Sequence, residues 1–449
     1  MYKARYVRIF NYIFCFFIAA YSQSEKVYIK SLDPMIIDDS LNHMLENQID
    51  LSLTYNLESY SLFPSYSIYK ATKNVKTVDS LLFNDVIDID KHIINQIFKP
   101  YRNAAIGEHF TQIGSQLMSR YYFISKIPDY HFGKINEYTL GAMMKFEPNF
   151  ESSVSGIVGF NKLNNRSRFI GEINLNLENY LKKAEKFNLF WKRTDSLSQV
   201  ITIGTFLPHP FNWNNGVEMQ YHHEVFEGLY AFREKKLLLH TFLPMLNSFN
   251  LGYITGQIIP TETGLFNGYK KSQYKAFSVV SKKDVRNDRL FPSRGKLINS
   301  TIDGGLDNEI IFFKGYLEMQ SFHGLKNDMH IKLQWMGHGI GYLNNQVPKS
   351  RYLHFGGSST LRGYQEHAFI ATQYQVFTIE LNYRPLLSLQ TNFFADIGST
   401  ELIPTDRYLI GYGIGLNQIN ENSIIKLVYA LSNEKKSNGK IHIILVSRF

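Results

Sequence analysis

The run from Phe169 to Glu178 limits what the chain can fold into more than any other. Phe169, Gly171, Ile173, Leu175 and Leu177 alternate there with Ile170, Glu172, Asn174, Asn176 and Glu178. A period of two sends the two sets to opposite faces of a strand, so this segment has one apolar side and one mostly polar side. The pattern returns at Met329, Ile331, Leu333 and Trp335, set against His330, Lys332, Gln334 and Met336, and again at Ile425, Leu427, Tyr429 and Leu431. From about residue 150 onward the helical period is absent.

A β-sandwich alternates in the same way, but length and polarity favour a barrel that crosses a membrane. About 300 residues follow position 150. A spanning strand takes roughly 9 to 11 residues, so about sixteen strands with their loops use the whole segment. The polar faces carry Lys, Glu, Arg and Asp, which suits a wet lumen. Export fits this reading. Lys3, Arg5 and Arg8 precede an apolar run over 9–20, and Ala20-Tyr21-Ser22 offers a small-x-small cleavage site, so residues 1–22 read as a signal peptide. Cys15, the one cysteine, lies inside that signal, which excludes disulfide and thiolate chemistry from the mature chain. The formal charge of +9 comes from cations scattered among acidic residues, a pattern that excludes nucleic acid as a partner.

The region before the barrel has a different period. Thr77 to Phe83 predicts a strand. Asp88 is a candidate helix N-cap ahead of Ile89, Ile93 and Ile97, with Pro100 marking the end. Phe110, Ile113, Leu117 and Tyr121 share one face of a second helix, and Tyr138, Leu140, Ala142, Met144 and Phe146 alternate as a strand. Residues 76–148 therefore form a small α+β domain. Ser40 to Gln48 predicts a helix, and Leu51, Leu53, Tyr55 and Leu57 alternate, so 23–75 reads as the rear part of a similar unit without a recognisable first strand. The barrel takes 149–449, and its last strand ends on an aromatic, Phe449, behind Ile441, Ile443 and Leu445.

The chemistry gathers around "FGGSSTLRGY", residues 355–364. In the strand after it Phe377, Ile379, Leu381 and Tyr383 take the apolar parity, which turns Thr378, Glu380, Asn382 and Arg384 inward. In the next, Thr391, Phe393, Ala395 and Ile397 point outward and Phe394, Asp396 and Gly398 inward. Gly356, Gly357 and Gly363 permit a backbone that doubles back into a lumen. Arg362 can then fork to Glu380 and Asp396, because a planar guanidinium binds carboxylate oxygens in pairs. An exposed arginine on a hairpin tip, with two carboxylates facing water, stays open as the alternative.

"GGSSTLRGY", "FADIG" and the inward Glu380 resemble the diagnostic motifs of the BamA/TamA superfamily, the bacterial surface antigen family of outer-membrane insertases and two-partner secretion transporters. "DVRNDRLFPSRGKLINS", residues 284–300, is similar to its Asp-rich Pro-x-x-Gly segment, and 76–148 resembles a POTRA domain. The resemblance implies a sixteen-stranded outer-membrane barrel behind periplasmic POTRA domains. It makes Arg362 the anchor of a lumen-folded extracellular loop, with Gly363, Tyr364, Gly356 and Gly357 in the loop motif. Glu380 and Asp396 become its partners, Phe394 and Gly398 supporting motif residues, and Phe449 the barrel assembly signal. It also implies outer-membrane lipids and unfolded outer-membrane or secreted clients as partners, together with periplasmic chaperones or accessory lipoproteins. No cofactor follows from it. The POTRA region is reduced, with one clear domain and one remnant, and Leu361 stands where the family usually has Val.

Metal is not favoured. His222 and His223 precede Glu224 in "YHHEVFEG", but adjacent strand residues point to opposite faces and cannot share an ion. No Gly-x-Ser-x-Gly elbow or phosphate loop occurs. Trp191 and Trp335 take the outward parity, towards lipid or its interface. A non-enzymatic insertase or translocase is the leading expectation. A secretion pore, a barrel enzyme and a passive porin are the alternatives.

Overall fold

The computed structural model describes residues 26–448 apart from 47–52, 74–76, 84–86, 107, 135–139, 164–165, 194–196, 244–245, 289–290, 326–327, 402–407, 421 and 434–438. Residues 1–22, which the sequence reads as a signal peptide, and Phe449 lie outside the described residues. The chain gathers into two compact units. One takes residues up to 85 with Phe98–Ser115 and Ile127–Phe146; the other takes 86–97, Gln116–Lys126 and Glu147 onward.

The first unit holds two three-stranded sheets. In one, β1 (Lys26–Ile29) pairs with β3 (Ser65–Lys73), which pairs with β2 (Leu53–Leu62). β1 is the strand that hydropathy does not reveal: Lys26, Val27, Tyr28 and Ile29 bury only Ile29 fully. Helix α1 (Pro34–Glu46) begins earlier than Ser40 because Asp33 caps it, its Oδ1 accepting from the Met35 amide at 2.9 Å. The other sheet runs β4 (Val78–Phe83), β6 (Leu140–Lys145) and β5 (Asp129–Lys134), with β4 and β6 parallel. β5 spans six residues, too few for a period of two to stand out in the sequence. Val78, Phe98, Tyr101, Phe110, Ala142, Met144 and Phe146 form this domain's buried core. Phe98 meets Phe146 edge-on at 5.0 Å, the arrangement aromatic quadrupoles favour.

Helix α2 (Lys91–Ile97) falls in the second unit, and α3 (Glu108–Arg120) is divided between the two after Ser115. Asp88 does not cap α2. Asp90 does, its Oδ1 accepting from the His92 amide at 2.8 Å, while Asp88 takes an ion pair with Lys182 at 2.8 Å. Asp90 wins because it directly precedes the first helical residue.

The second unit is a closed barrel. Its first eight strands are β7 (Ser153–Leu163), β8 (Arg166–Glu178), β9 (Lys186–Arg193), β10 (Gln199–Leu207), β11 (Gly216–Phe226), β12 (Tyr230–Leu243), β13 (Leu246–Pro260) and β14 (Ser272–Asp284). β15 (Gly295–Asp307), β16 (Ile310–Gly324) and β17 (Met329–Tyr342) follow. A long loop then carries the short pair β18 (Leu353–Phe355) and β19 (Phe369–Ala371). β20 (Gln373–Leu386), β21 (Leu389–Ser399), β22 (Leu409–Ile419), β23 (Ser423–Ser432) and β24 (Lys440–Arg448) complete sixteen antiparallel wall strands. Closure leaves no free sheet edge along most of the wall, the condition for backbone in hydrocarbon.

Parity holds through these strands. Phe377, Ile379 and Tyr383 are exposed on the outer wall, whereas Thr378, Glu380 and Asn382 are buried inside. The Trp335 indole Nε1 donates to Gln375 Oε1 at 3.1 Å on the outer side. Closure is uneven. β7 pairs with β8 from Ser153 to Leu163, but among the described residues it meets β24 only through Ser153, Val154 and Ser155, opposite Arg448, Ser447 and Val446.

Candidate functional site: the loop folded into the barrel

The loop between β17 and β20 turns inward on glycines. Gly356, Gly357 and Gly363 have φ of 115°, 94° and 92°, a region closed to most side chains. Any Cβ on Gly363 would also collide with the Leu431 carbonyl of β23. Thr360 steadies the turn, its Oγ1 accepting from the Gly356 amide at 2.8 Å.

This turn delivers Arg362 to the inner wall. Its Nε donates to Asp396 Oδ2 at 2.8 Å, Nη2 to Asp396 Oδ1 at 2.7 Å and Nη1 to Glu380 Oε2 at 3.1 Å. The Arg362 backbone amide also donates to Asp396 Oδ2, at 3.1 Å. The guanidinium lies 3.5 Å over the Phe394 ring. The register explains the convergence: Thr378 faces Asp396 and Glu380 faces Phe394 across β20 and β21, so both carboxylates and the ring share one inward patch. Asp396 is 1% exposed, and Thr378 Oγ1 donates to its Oδ1 at 2.8 Å. A buried carboxylate is tolerable only with such partners.

The neighbouring motif residues pack around this pair. Leu361 is fully buried and lies against Gly398, where no Cβ intervenes. Tyr364 donates to Asn433 Oδ1 at 2.5 Å. Phe355 stacks on Tyr374 at 4.5 Å, and Phe355, Leu361 and Tyr364 join Phe312, Met336 and Val376 in one apolar cluster within the lumen.

Two more loop contacts escaped the sequence reading. Arg351 is 8% exposed, with its guanidinium 3.7 Å over Tyr274 and 4.9 Å over Phe312. Its Nε lies 3.6 Å from Asp307 Oδ2, a carboxylate that also accepts from Ser272 and Tyr342. Glu366 accepts from the Ser358 amide at 2.9 Å and lies 3.5 Å from Lys192 of β9, which pairs in turn with Glu172 of β8 at 3.2 Å. Neither residue sits on a regular strand, so no parity argument reaches it. The loop thus contacts β9 on one side of the thin β24–β7 junction, where Lys192 links on to β8, and β20 to β23 on the other.

The remaining candidates are placed elsewhere. His222 bonds Thr202 Oγ1 through Nδ1 at 2.9 Å, inside, and His223 lies opposite Arg233 on the outer face. Of the motif at residues 284–300, Arg286 leaves β14 and forks onto Asp284 at 2.8 and 2.7 Å.

Fold and loop together define a transmembrane β-barrel whose lumen holds its own long loop. The Omp85 superfamily domain matches residues 179–444, and the chain belongs to that superfamily of outer-membrane barrels. Its structure is similar to BamA from Haemophilus ducreyi lacking POTRA domains 1–3, with a TM-score of 0.54, 13% identity, and 92% of this chain and 93% of that one covered. It is also similar to CdiB from Escherichia coli, with a TM-score of 0.61, 12% identity, and 93% and 85% covered. For CdiB from Acinetobacter baumannii the TM-score is 0.59, with 13% identity and 92% and 81% covered. No curated protein sequence matches the chain.

Proposed function

We propose that this protein inserts client β-barrels into the outer membrane, or passes client polypeptide across it, without covalent chemistry. The observation that carries this reading is the short β24–β7 ladder. Beyond Ser155 the β7 backbone has no described partner on that side, and an unpaired edge is a template for an incoming strand. The loop supports it, because its contacts to strands on both sides of the junction couple loop release to sideways opening. Residues 23–75 and 76–148 then serve as POTRA-like modules in the periplasm. Arg362 acts as the loop anchor, with Glu380 and Asp396 its partners. A lumen packed with Phe355, Leu361 and Tyr364 does not suit a passive porin.

The test is reconstitution into liposomes with an unrelated unfolded outer-membrane barrel as client. Folding should be faster than in empty liposomes and slower again with Arg362→Ala. A two-partner-type secretion pore instead gives no acceleration, and client appearing inside the vesicles.

A further inference from the structure

The outer wall is charged on one side only. On the outward positions of β16, β17 and β20 to β24 there is no Asp, Glu, Lys or Arg. On β14 and β15 the same parity carries Lys283 and Lys296 at the far end of the wall, and on β12 and β14 it gathers a group of three, Arg233, Lys235 and Lys275. All three are exposed, in line with Leu237 and Phe277 outside and not with the buried Leu238 and Ala276.

The register draws them together. Lys235, Thr255 and Lys275 form one row across β12, β13 and β14, and Arg233, Gln257 and Gln273 form the next. Neighbouring strands lie about 4.8 Å apart and alternate residues about 6.7 Å, so the three cations span roughly 10 Å. No acidic side chain shares these rows, and none of the three makes an ion pair with a described residue. The row beneath is apolar, with Met219, Leu237, Tyr253 and Phe277, the last two rings 5.9 Å apart.

Cations on a lipid-facing wall are costly at mid-bilayer and cheap only near an interface. These stand near the wall end that carries the long loop, opposite the end where the chain enters β7. In outer-membrane barrels the longer loops face outward, so the patch lies in the outer leaflet. Polar cations above aromatic and aliphatic side chains match an amphiphile with phosphate above acyl chains. A spread of about 10 Å exceeds one phosphate and suits a headgroup bearing two.

We propose that the outer wall of β11 to β14 binds a bis-phosphorylated glycolipid of the lipid A type. The patch is strands away from the β24–β7 junction, so the bound lipid fixes the barrel in the outer leaflet while leaving that junction free. This inference rests on the barrel and its parity, not on the client activity proposed above.

The test titrates the full-length protein in detergent with bis-phosphorylated lipid A, its dephosphorylated form and phosphatidylglycerol, read by native mass spectrometry. The wild type should bind the first at least tenfold more tightly than either of the others, and Arg233→Gln/Lys235→Gln/Lys275→Gln should lose that preference. Equal binding of the two lipid A forms overturns the proposal. So does phosphatidylglycerol binding as tightly as lipid A, which would mark a general anionic surface, or a folded triple variant that keeps the preference. The wild-type comparison among the three lipids decides even if the variant does not fold.

Discussion

Arg362 and Asp396 are joined by two parallel hydrogen bonds, Nε to Oδ2 at 2.8 Å and Nη2 to Oδ1 at 2.7 Å, with the carboxylate 1% exposed. Removing the arginine leaves that carboxylate buried and unpaired, a loss of about 3 to 5 kcal/mol. Arg362→Ala should therefore expose the loop to protease in the folded barrel. Arg362→Lys should fall between it and the wild type, because an ammonium cannot form the fork. Equal cleavage of all three proteins would contradict the pairing.

Gly363→Ala should be nearly as damaging, although it removes no contact. The φ of 92° and the Leu431 carbonyl both oppose a side chain, a strain of about 1 to 3 kcal/mol. A lowered midpoint in thermal unfolding in detergent is the expected readout, and an unchanged midpoint would count against the turn geometry.

Glu366 and Lys192 should matter less. Their side chains are 26% and 23% exposed and 3.5 Å apart, a pair worth no more than about 1 kcal/mol. Glu366→Lys should loosen the loop slightly and Glu366→Lys/Lys192→Glu should recover part of the loss, measured by hydrogen exchange across residues 356–366. A double variant worse than the single one would break the assignment.

His209, in the β10–β11 turn, gives the expected pH dependence. Its Nδ1 lies 2.8 Å from the Trp213 carbonyl, so that nitrogen donates, and its Nε2 accepts from the Tyr121 hydroxyl at 2.7 Å. Burial foremost, with Arg120 nearby and against the pull of that carbonyl, holds its pKa below the ordinary 6.5. The unfolded chain then takes a proton that the folded one refuses, so stability is complete above about pH 6.5 and is lost as pH falls below it. Exchange at residues 209–214 should quicken between pH 7.5 and 5, and His209→Gln should remove most of that response. A response unchanged in the variant would place its origin elsewhere.

Side-chain direction in a strand follows from period two, and so the inward set of Thr378, Glu380, Phe394 and Asp396 was legible from sequence. The same rule could not reach Arg351 or Glu366, which lie in a loop where no period operates and whose partners are far away in the chain. Short elements were also hidden: β1 buries one residue fully, and β5 alternates too briefly to stand out beside α3. Asp88 and Asp90 are both sound capping residues, and only the helix start at Lys91 decides between them.

The client reading turns on whether the β24–β7 junction must open. Val154 and Ser447 are paired partners there, close enough for a disulfide once both are cysteine. With Val154→Cys/Ser447→Cys in a Cys15→Ser background, the rate of client folding in liposomes should fall to that of empty liposomes when oxidised and recover on reduction. Client folding equally fast with the junction locked would contradict the account.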